Sequence, residues 1–276
     1  RSLRPSFLSA AEQGNSMYDV AYGEPKRVRV GSVPVLSLEG DSIEETAGQR
    51  AVVNAHFALA GANVVCAFVQ SALASSPLDA ACFGVAVAAS VVVGDFATGV
   101  FHWATDNYGS IDTPIVGRVC AAFQGHHDTP WTITYRSFAN NVHKICYNTI
   151  PVLTASLLSL AMGAPPFLSI FFAFFTSWWV VSQEFHKWSH MRQVPRVVKF
   201  LQDAGIILSR KEHGRHHSSP FEGHYCILTG MCNPVLDRSG FWRMLEKVTY
   251  RLTGNRPNTW KLEPSLSGGV DARTSM

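Results

Sequence analysis

The chain has 276 residues, a formal net charge of +3, and 47% hydrophobic but only 16% charged residues. Soluble domains average about 25% charged residues, so the composition points to a membrane protein with polar ends. A charge of +3 is too small to argue for nucleic acid, and no nucleic-acid-binding motif is present, so none is expected as a partner.

Residues 1–48 are polar, rich in Ser, Gly and Pro, and lack periodicity. They read as a flexible N-terminal segment. The basic, small-residue-rich start suits a transit-peptide remnant as well as an ordinary tail. Four apolar stretches follow, at about Ala51 to Ala74, Leu78 to Phe101, Ile145 to Met162 and Pro166 to Val181. A helix of about 20 residues crosses a hydrocarbon core of about 30 Å. The second and fourth meet that standard by composition. The first carries Asn54, His56, Asn63 and Gln70 and also suits a partly buried helix, and the third is short. Two helical hairpins, turning at 75–79 and 163–166, accommodate all four. Trp178 and Trp179 read as interface anchors. The helix around Arg243, Lys247 and Arg251 reads as packed and amphipathic, or else as interfacial. Residues 263–276 read as a flexible tail, leaving 49–262 as the folded domain.

No Lys or Arg occurs from Ala51 to Val100 or from Ile145 to His186. All 23 basic residues therefore fall on one side of an even number of spans, as the positive-inside rule requires of a cytosolic or stromal face. The six cysteines, at 66, 82, 120, 146, 226 and 232, form no CxxC pair, so reduced or buried thiols are expected. The predicted fold class is an all-α membrane protein of about four transmembrane helices with a histidine-rich polar cap on one membrane face.

Eight of the 11 histidines form clusters on that face. His102 ends the second span, with Asp106 four residues on. His126 and His127 sit in the central loop, His186 and His190 follow the fourth span, and His213, His216 and His217 form a cluster in EHGRHH. Residues four apart share a helix face, so His186 with His190, and His213 with His217, can each aim at one centre. Adjacent His126 and His127 diverge, so each can serve a different metal. Eight nitrogens exceed what one ion takes, and two ions with open positions suit the count. Such a site favours non-haem iron or zinc, and the pairing favours iron chemistry with O₂. Asp106 is a further ligand or orients a ligand imidazole. His56, His143 and His224 are set aside as structural or outer residues. Asp95, near the end of the second span, faces the bundle or the site, or serves the helix end.

The runs HWATDNYG, FQGHHDTPWTIT, FANNVH, QEFHKWSH, LQDAGIILSRKEHGRHHSSP, YCILTG and NPVLD closely resemble the lipid desaturase domain family over roughly Val91 to Trp260. That family includes the plasmanylethanolamine desaturases and a plant plastid branch, fatty acid desaturase four, that puts a trans double bond into phosphatidylglycerol. FQGHH, PWTIT and FANN are more similar to the plastid branch. Asp128-Thr129 departs from that branch, which has a basic–aromatic pair after the second histidine. The resemblance implies a di-iron, O₂-dependent acyl-lipid desaturase in a plastid membrane, with the endoplasmic reticulum as the alternative. Its substrate would be a membrane phospholipid, phosphatidylglycerol favoured, with a trans bond near the carboxyl end of a palmitoyl chain. The electrons would come from an external donor, ferredoxin in a plastid. Plasmalogen formation or hydroxylation at the same metals is the nearer alternative, and a membrane metal transporter the more distant one.

Overall fold

A computed structural model describes residues 33–36, 38–74 and 77–270, and the segment 1–32 with its leader-like start lies outside them. Among the described residues the chain is helical, without strands. The long helices are α1 (Ala47–Ala74), α2 (Pro77–Asn107), α4 (Phe138–Ala161) and α5 (Pro166–His190). Short helices complete the cap: α3 (Gly117–His126), α6 (Arg196–Asp203), α7 (Arg210–His216), α8 (Asn233–Arg238), α9 (Phe241–Thr253) and α10 (Asn258–Leu262). A 3-10 turn, Pro130–Tyr135, joins α3 to α4, and another, Pro264–Ser267, follows α10.

The bundle is organised around α5, which packs against α1, α2 and α4. Among the described residues, three helices are long and apolar enough to cross a membrane: Ala47–Leu73, Ala81–Asn107 and Pro166–His190. The fourth expected span lies within α4, which packs between α1 and α5. Lys144, Asn148 and Thr149 dilute its apolar character, and for that reason α4 does not qualify by composition. Small residues allow close contact in the bundle, as where Ala67, Ala86, Leu160 and Ile170 are buried together. Polar side chains inside it are paired: Asn63 Nδ2 donates to the Leu153 carbonyl at 3.0 Å, and Ser169 Oγ donates to Asn63 Oδ1 at 3.0 Å. Trp178 donates its indole N–H to Ser90 Oγ at 3.1 Å, tying α5 to α2. It is thus an inter-helix contact rather than the interface anchor expected for it.

At 31 residues, α2 is about 46 Å long, more than the roughly 30 Å hydrocarbon core requires. Its last turns, with His102 and Asp106, therefore stand in the polar cap. The cap is laid directly on α2. Asp95, fully buried, accepts the backbone N–H groups of Thr229 (2.7 Å), Gly230 (2.9 Å) and Cys232 (2.9 Å). One helical turn on, a Cβ at Gly99 would lie 2.5 Å from Cys226 Sγ, so only glycine lets the 225–232 segment approach this closely. Of the roles open to Asp95 in the sequence, the structure shows that of a clamp facing the bundle.

The C-terminal helices close over this segment. Trp103, Tyr225 and Trp242 are buried together, with Trp103 and Trp242 stacked at 6.1 Å. Trp242, Glu246 and Tyr250 form the buried face of α9, so the Arg243 helix is packed and amphipathic. Glu246 accepts from Trp260 Nε1 at 2.7 Å. At the other edge, residues 33–36 and 38–45 of the segment set aside from the fold are strapped across the central loop. Trp131 Nε1 donates to the Val33 carbonyl at 2.9 Å, Asn140 Nδ2 to the Ser42 carbonyl at 2.9 Å, and Arg136 pairs with Asp41. All six cysteines are free.

Asp95→Ala would strand three N–H groups that now bond a carboxylate, a loss of about 3 kcal/mol or more. The detergent-solubilised variant should melt well below wild type, while Asp112→Ala, at an exposed position, should melt like wild type. Equal melting of Asp95→Ala and wild type would contradict the clamp.

Candidate metal centre

Four pieces of chain bring the histidines together. The end of α2 supplies His102 and Asp106, α3 and its C-cap supply His126 and His127, α5 supplies His186 and His190, and α7 with its C-cap supplies His213, His216 and His217. Ser209 sets the phase of α7: its Oγ accepts the Glu212 N–H at 3.2 Å, and Glu212 stands three residues on, in the S-x-x-E pattern of a capping box. Gln124 Nε2 donates to the carbonyls of Thr105 (3.0 Å) and Gly109 (3.2 Å), fixing α3 against the end of α2.

The donor atoms fall into two groups, each within 4.8 Å across. The first holds His126, His186, His190, His213 and His217, and the second His102, Asp106, His127 and His216. Neighbours in sequence separate as their side-chain directions dictate, with His126 and His127 in different groups and His216 apart from His213 and His217. The i,i+4 pairs stay together. The groups adjoin: the rings of His127 and His217, one from each, have centroids 4.8 Å apart. Outside both lie His56, which accepts from or donates to Thr149 Oγ1 at 2.9 Å, His143, bound to α4 carbonyls, and His224, between Glu212 and Asp237.

Hydrogen bonding within the first group does not balance. His190 Nε2 lies 2.9 Å from His126 Nε2, 3.2 Å from His186 Nε2 and 2.9 Å from His213 Nε2. One ring nitrogen carries one proton or one lone pair, so it cannot satisfy three such neighbours. A cation among them can. Imidazole nitrogens bind divalent ions at roughly 2.0–2.1 Å, and neighbouring ligands around such an ion stand roughly 3 Å apart, as these do.

The second group is wholly buried and shows the outer bonds that metal-bound histidines use. His102 Nδ1 lies 3.0 Å from the Tyr225 carbonyl and His216 Nδ1 lies 2.9 Å from the Gly223 carbonyl. Each ring must donate there, which puts the lone pair on Nε2, facing inward. Neither Nε2 has a hydrogen-bond partner, and both are buried. Asp106 Oδ2 sits 3.4, 3.0 and 3.3 Å from Nε2 of His102, His127 and His216. Its carboxylate thus lies among the donors rather than behind a ring. Three nitrogens and an oxygen suit zinc or non-haem iron, and five nitrogens suit iron.

The cap keeps these rings neutral, the state in which imidazole binds a metal. Burial holds His126, His213 and His217 well below the ordinary histidine value, and neighbouring imidazoles push in the same direction. Burial also lowers His127, opposed by the Asp106 carboxylate. Asp128, buried next to His127, places a second acid in this part of the cap.

The two carbonyls, Tyr225 and Gly223, were invisible to sequence reasoning because a main-chain oxygen has no residue signature. Gln124, the second residue of FQGHH, was visible only as part of the motif.

These lowered values fix a pH dependence. In the unfolded chain histidine protonates near pH 6.5, while the folded cap resists protonation. As pH falls through about 6.5, the unfolded state gains protons that the folded state does not, and stability is lost. The metal-free protein should therefore melt at a lower temperature at pH 5.5 than at pH 7.5 in a thermal scan. A flat or rising profile would contradict the buried neutral rings.

Comparison with known proteins agrees with this architecture. The model of the lipid desaturase domain matches residues 91–260, which takes in every member of both groups. The chain is 43% identical over 179 residues to fatty acid desaturase 4, chloroplastic, of Arabidopsis thaliana, covering 64% of this chain and 54% of that protein. It is 36% identical over 179 residues to plasmanylethanolamine desaturase 1 of Mus musculus (62% and 66%), and 33% identical over 175 residues to plasmanylethanolamine desaturase of Myxococcus xanthus (62% and 62%). The chain thus spans little more than half the length of the Arabidopsis protein. No solved structure matches it. With the family match running through the whole histidine cap, the chain belongs to the lipid desaturase domain family.

Proposed function

We propose that the chain is a membrane-bound di-iron acyl-lipid desaturase that uses O₂, with His126, His186, His190, His213 and His217 holding one ion and His102, Asp106, His127 and His216 the other. The observation that carries the reading is the adjoining pair of donor groups at the cap ends of α2 and α5. Removing hydrogen from an unactivated methylene is beyond side-chain acids and bases, and a metal pair supplies the oxidising chemistry when bound. The overall change turns –CH₂–CH₂– and O₂, with two electrons and two protons from outside, into –CH=CH– and two waters. The four electrons that reduce O₂ come half from the acyl chain and half from a donor.

The chain's own residues position the site. The Tyr225 and Gly223 carbonyls orient two rings, and Gln124 holds α3 to α2. Burial limits water at the second group. The membrane setting suits the substrate, since each methylene moved into water costs about 0.8 kcal/mol. A site at the span ends meets a chain that stays in the bilayer.

The similarity to a protein named a chloroplastic fatty acid desaturase supports a fatty acid desaturase of a plastid membrane, and within that reading we propose palmitoyl phosphatidylglycerol as substrate, a trans double bond as product and ferredoxin as donor. The second reading is plasmanylethanolamine desaturation, which the mouse and bacterial relatives support at lower identity. Hydroxylation would use the same first hydrogen abstraction. A transporter would place its ligands near the bilayer midplane, whereas these lie at helix ends in the cap.

Lipid analysis of a host expressing the chain decides among them. A trans-unsaturated phosphatidylglycerol is expected, and a plasmalogen or hydroxylated product would favour the second reading or hydroxylation. His127→Ala, His190→Ala and His217→Ala should each lower product at least 100-fold while the protein stays in the membrane. His56→Ala should retain most activity. Wild-type turnover in all three histidine variants would overturn the ligand assignment.

A further inference from the structure

A cavity of about 190 Å³ opens beside the first histidine group, with His126 and His186 in its wall. It is smaller than the roughly 300 Å³ or more of pockets that enclose drug-sized ligands, so it takes a fragment of a lipid and not the whole molecule. One acidic and two basic side chains line it: Asp41, Arg136 and Lys144. Asp41 and Arg136 pair with each other. Lys144, in the second turn of α4, is exposed, and no side-chain partner for its ammonium occurs among the described residues. The cavity therefore carries one uncompensated positive charge next to the histidines.

One wall leads toward the bilayer. Phe123 lines the cavity and contacts Phe101 at 5.5 Å, Phe101 contacts Trp179 at 5.7 Å, and Trp179 contacts Phe175 at 5.7 Å. Trp179 and Phe175 precede His186 on α5 by seven and eleven residues, about 10 and 16 Å down the helix. Phe101 is 38% exposed, leaving part of this aromatic track open to a hydrocarbon chain. A polar end carrying one positive charge, a reactive middle and an apolar continuation match the order of groups along a phospholipid.

We propose that this cavity is the head-group subsite of the substrate, with the Lys144 ammonium holding the phosphodiester and the acyl chain running past His126 and His186 onto the Phe101 and Trp179 rings. The proposal rests on the acyl-lipid desaturase reading above. It explains why oxidation would fall near the ester end: the charge and the donor nitrogens share one small cavity. The strap supplies the outer wall through Val35, Leu38 and Asp41, so these three residues become part of the lipid site.

The test uses the full chain in detergent, titrated with phosphatidylglycerol by native mass spectrometry, alongside turnover with the same lipid. Losing a charge-assisted contact weakens binding by about tenfold or more. Lys144→Gln should thus raise Kd and KM by about that factor with kcat little changed, and Lys144→Arg should restore both. Arg196→Gln, at an exposed cation outside the cavity, should match wild type. Inorganic phosphate at equal concentration should not displace the lipid. Unchanged lipid binding in Lys144→Gln, an equal loss in Arg196→Gln, or displacement by inorganic phosphate would overturn the subsite. Lys144-dependent binding without any desaturation by wild type would instead overturn the reaction and leave the subsite standing.

Discussion

Three ring nitrogens within 2.9–3.2 Å of a fourth cannot all be reconciled by hydrogen bonds, and this crowding at His190 governs the rest of the cap. Partial to complete burial disfavours protonation of the rings, so positive charge on the imidazoles does not relieve the contact. A bound cation does. The surrounding structure then reads as a set of devices that hold nine donor atoms in place: the Asp95 clamp, the Gly99 contact, the Ser209 cap and the Tyr225 and Gly223 carbonyls.

The bilayer accounts for where these devices stand. The α2 helix is longer than a span needs, and its surplus carries His102 and Asp106 into the cap. Histidines ending α5 meet those of α3 and α7 at the same level. Under the proposed desaturase activity, an acyl chain would approach from the apolar side while its polar end stayed at the interface, and the substrate would not need to leave the membrane. The strap over the central loop adds a wall on the polar side, and the aromatic rings between α2 and α5 add one on the apolar side.

Much of this was legible in the sequence, for physical reasons specific to each part. The apolar runs announced the helices, and their lack of basic residues placed the polar regions on one side. The i,i+4 pairs His186/His190 and His213/His217 showed shared faces, and adjacency separated His126 from His127. Other features were hidden. The partners of Asp95 are backbone groups 134–137 residues away, and no local pattern points to them. Residues 33–36 and 38–45 lack periodicity because they lie as a strap held by side chains of the central loop. Trp178 looked like an anchor because composition cannot tell a lipid-facing indole from one bonded to Ser90. The third apolar run gave a full helix, with its polar first turns serving the cap rather than the bilayer.

The central claim is that two neighbouring ions share the cap, one in a nitrogen-only group and one in a group with a single carboxylate. X-ray absorption on the purified, active protein tests it most directly. The account predicts an iron edge, two irons per chain, a first shell of nitrogen and oxygen, and an iron–iron scattering component. A zinc edge, a sulfur shell or a single isolated ion per active chain would contradict it.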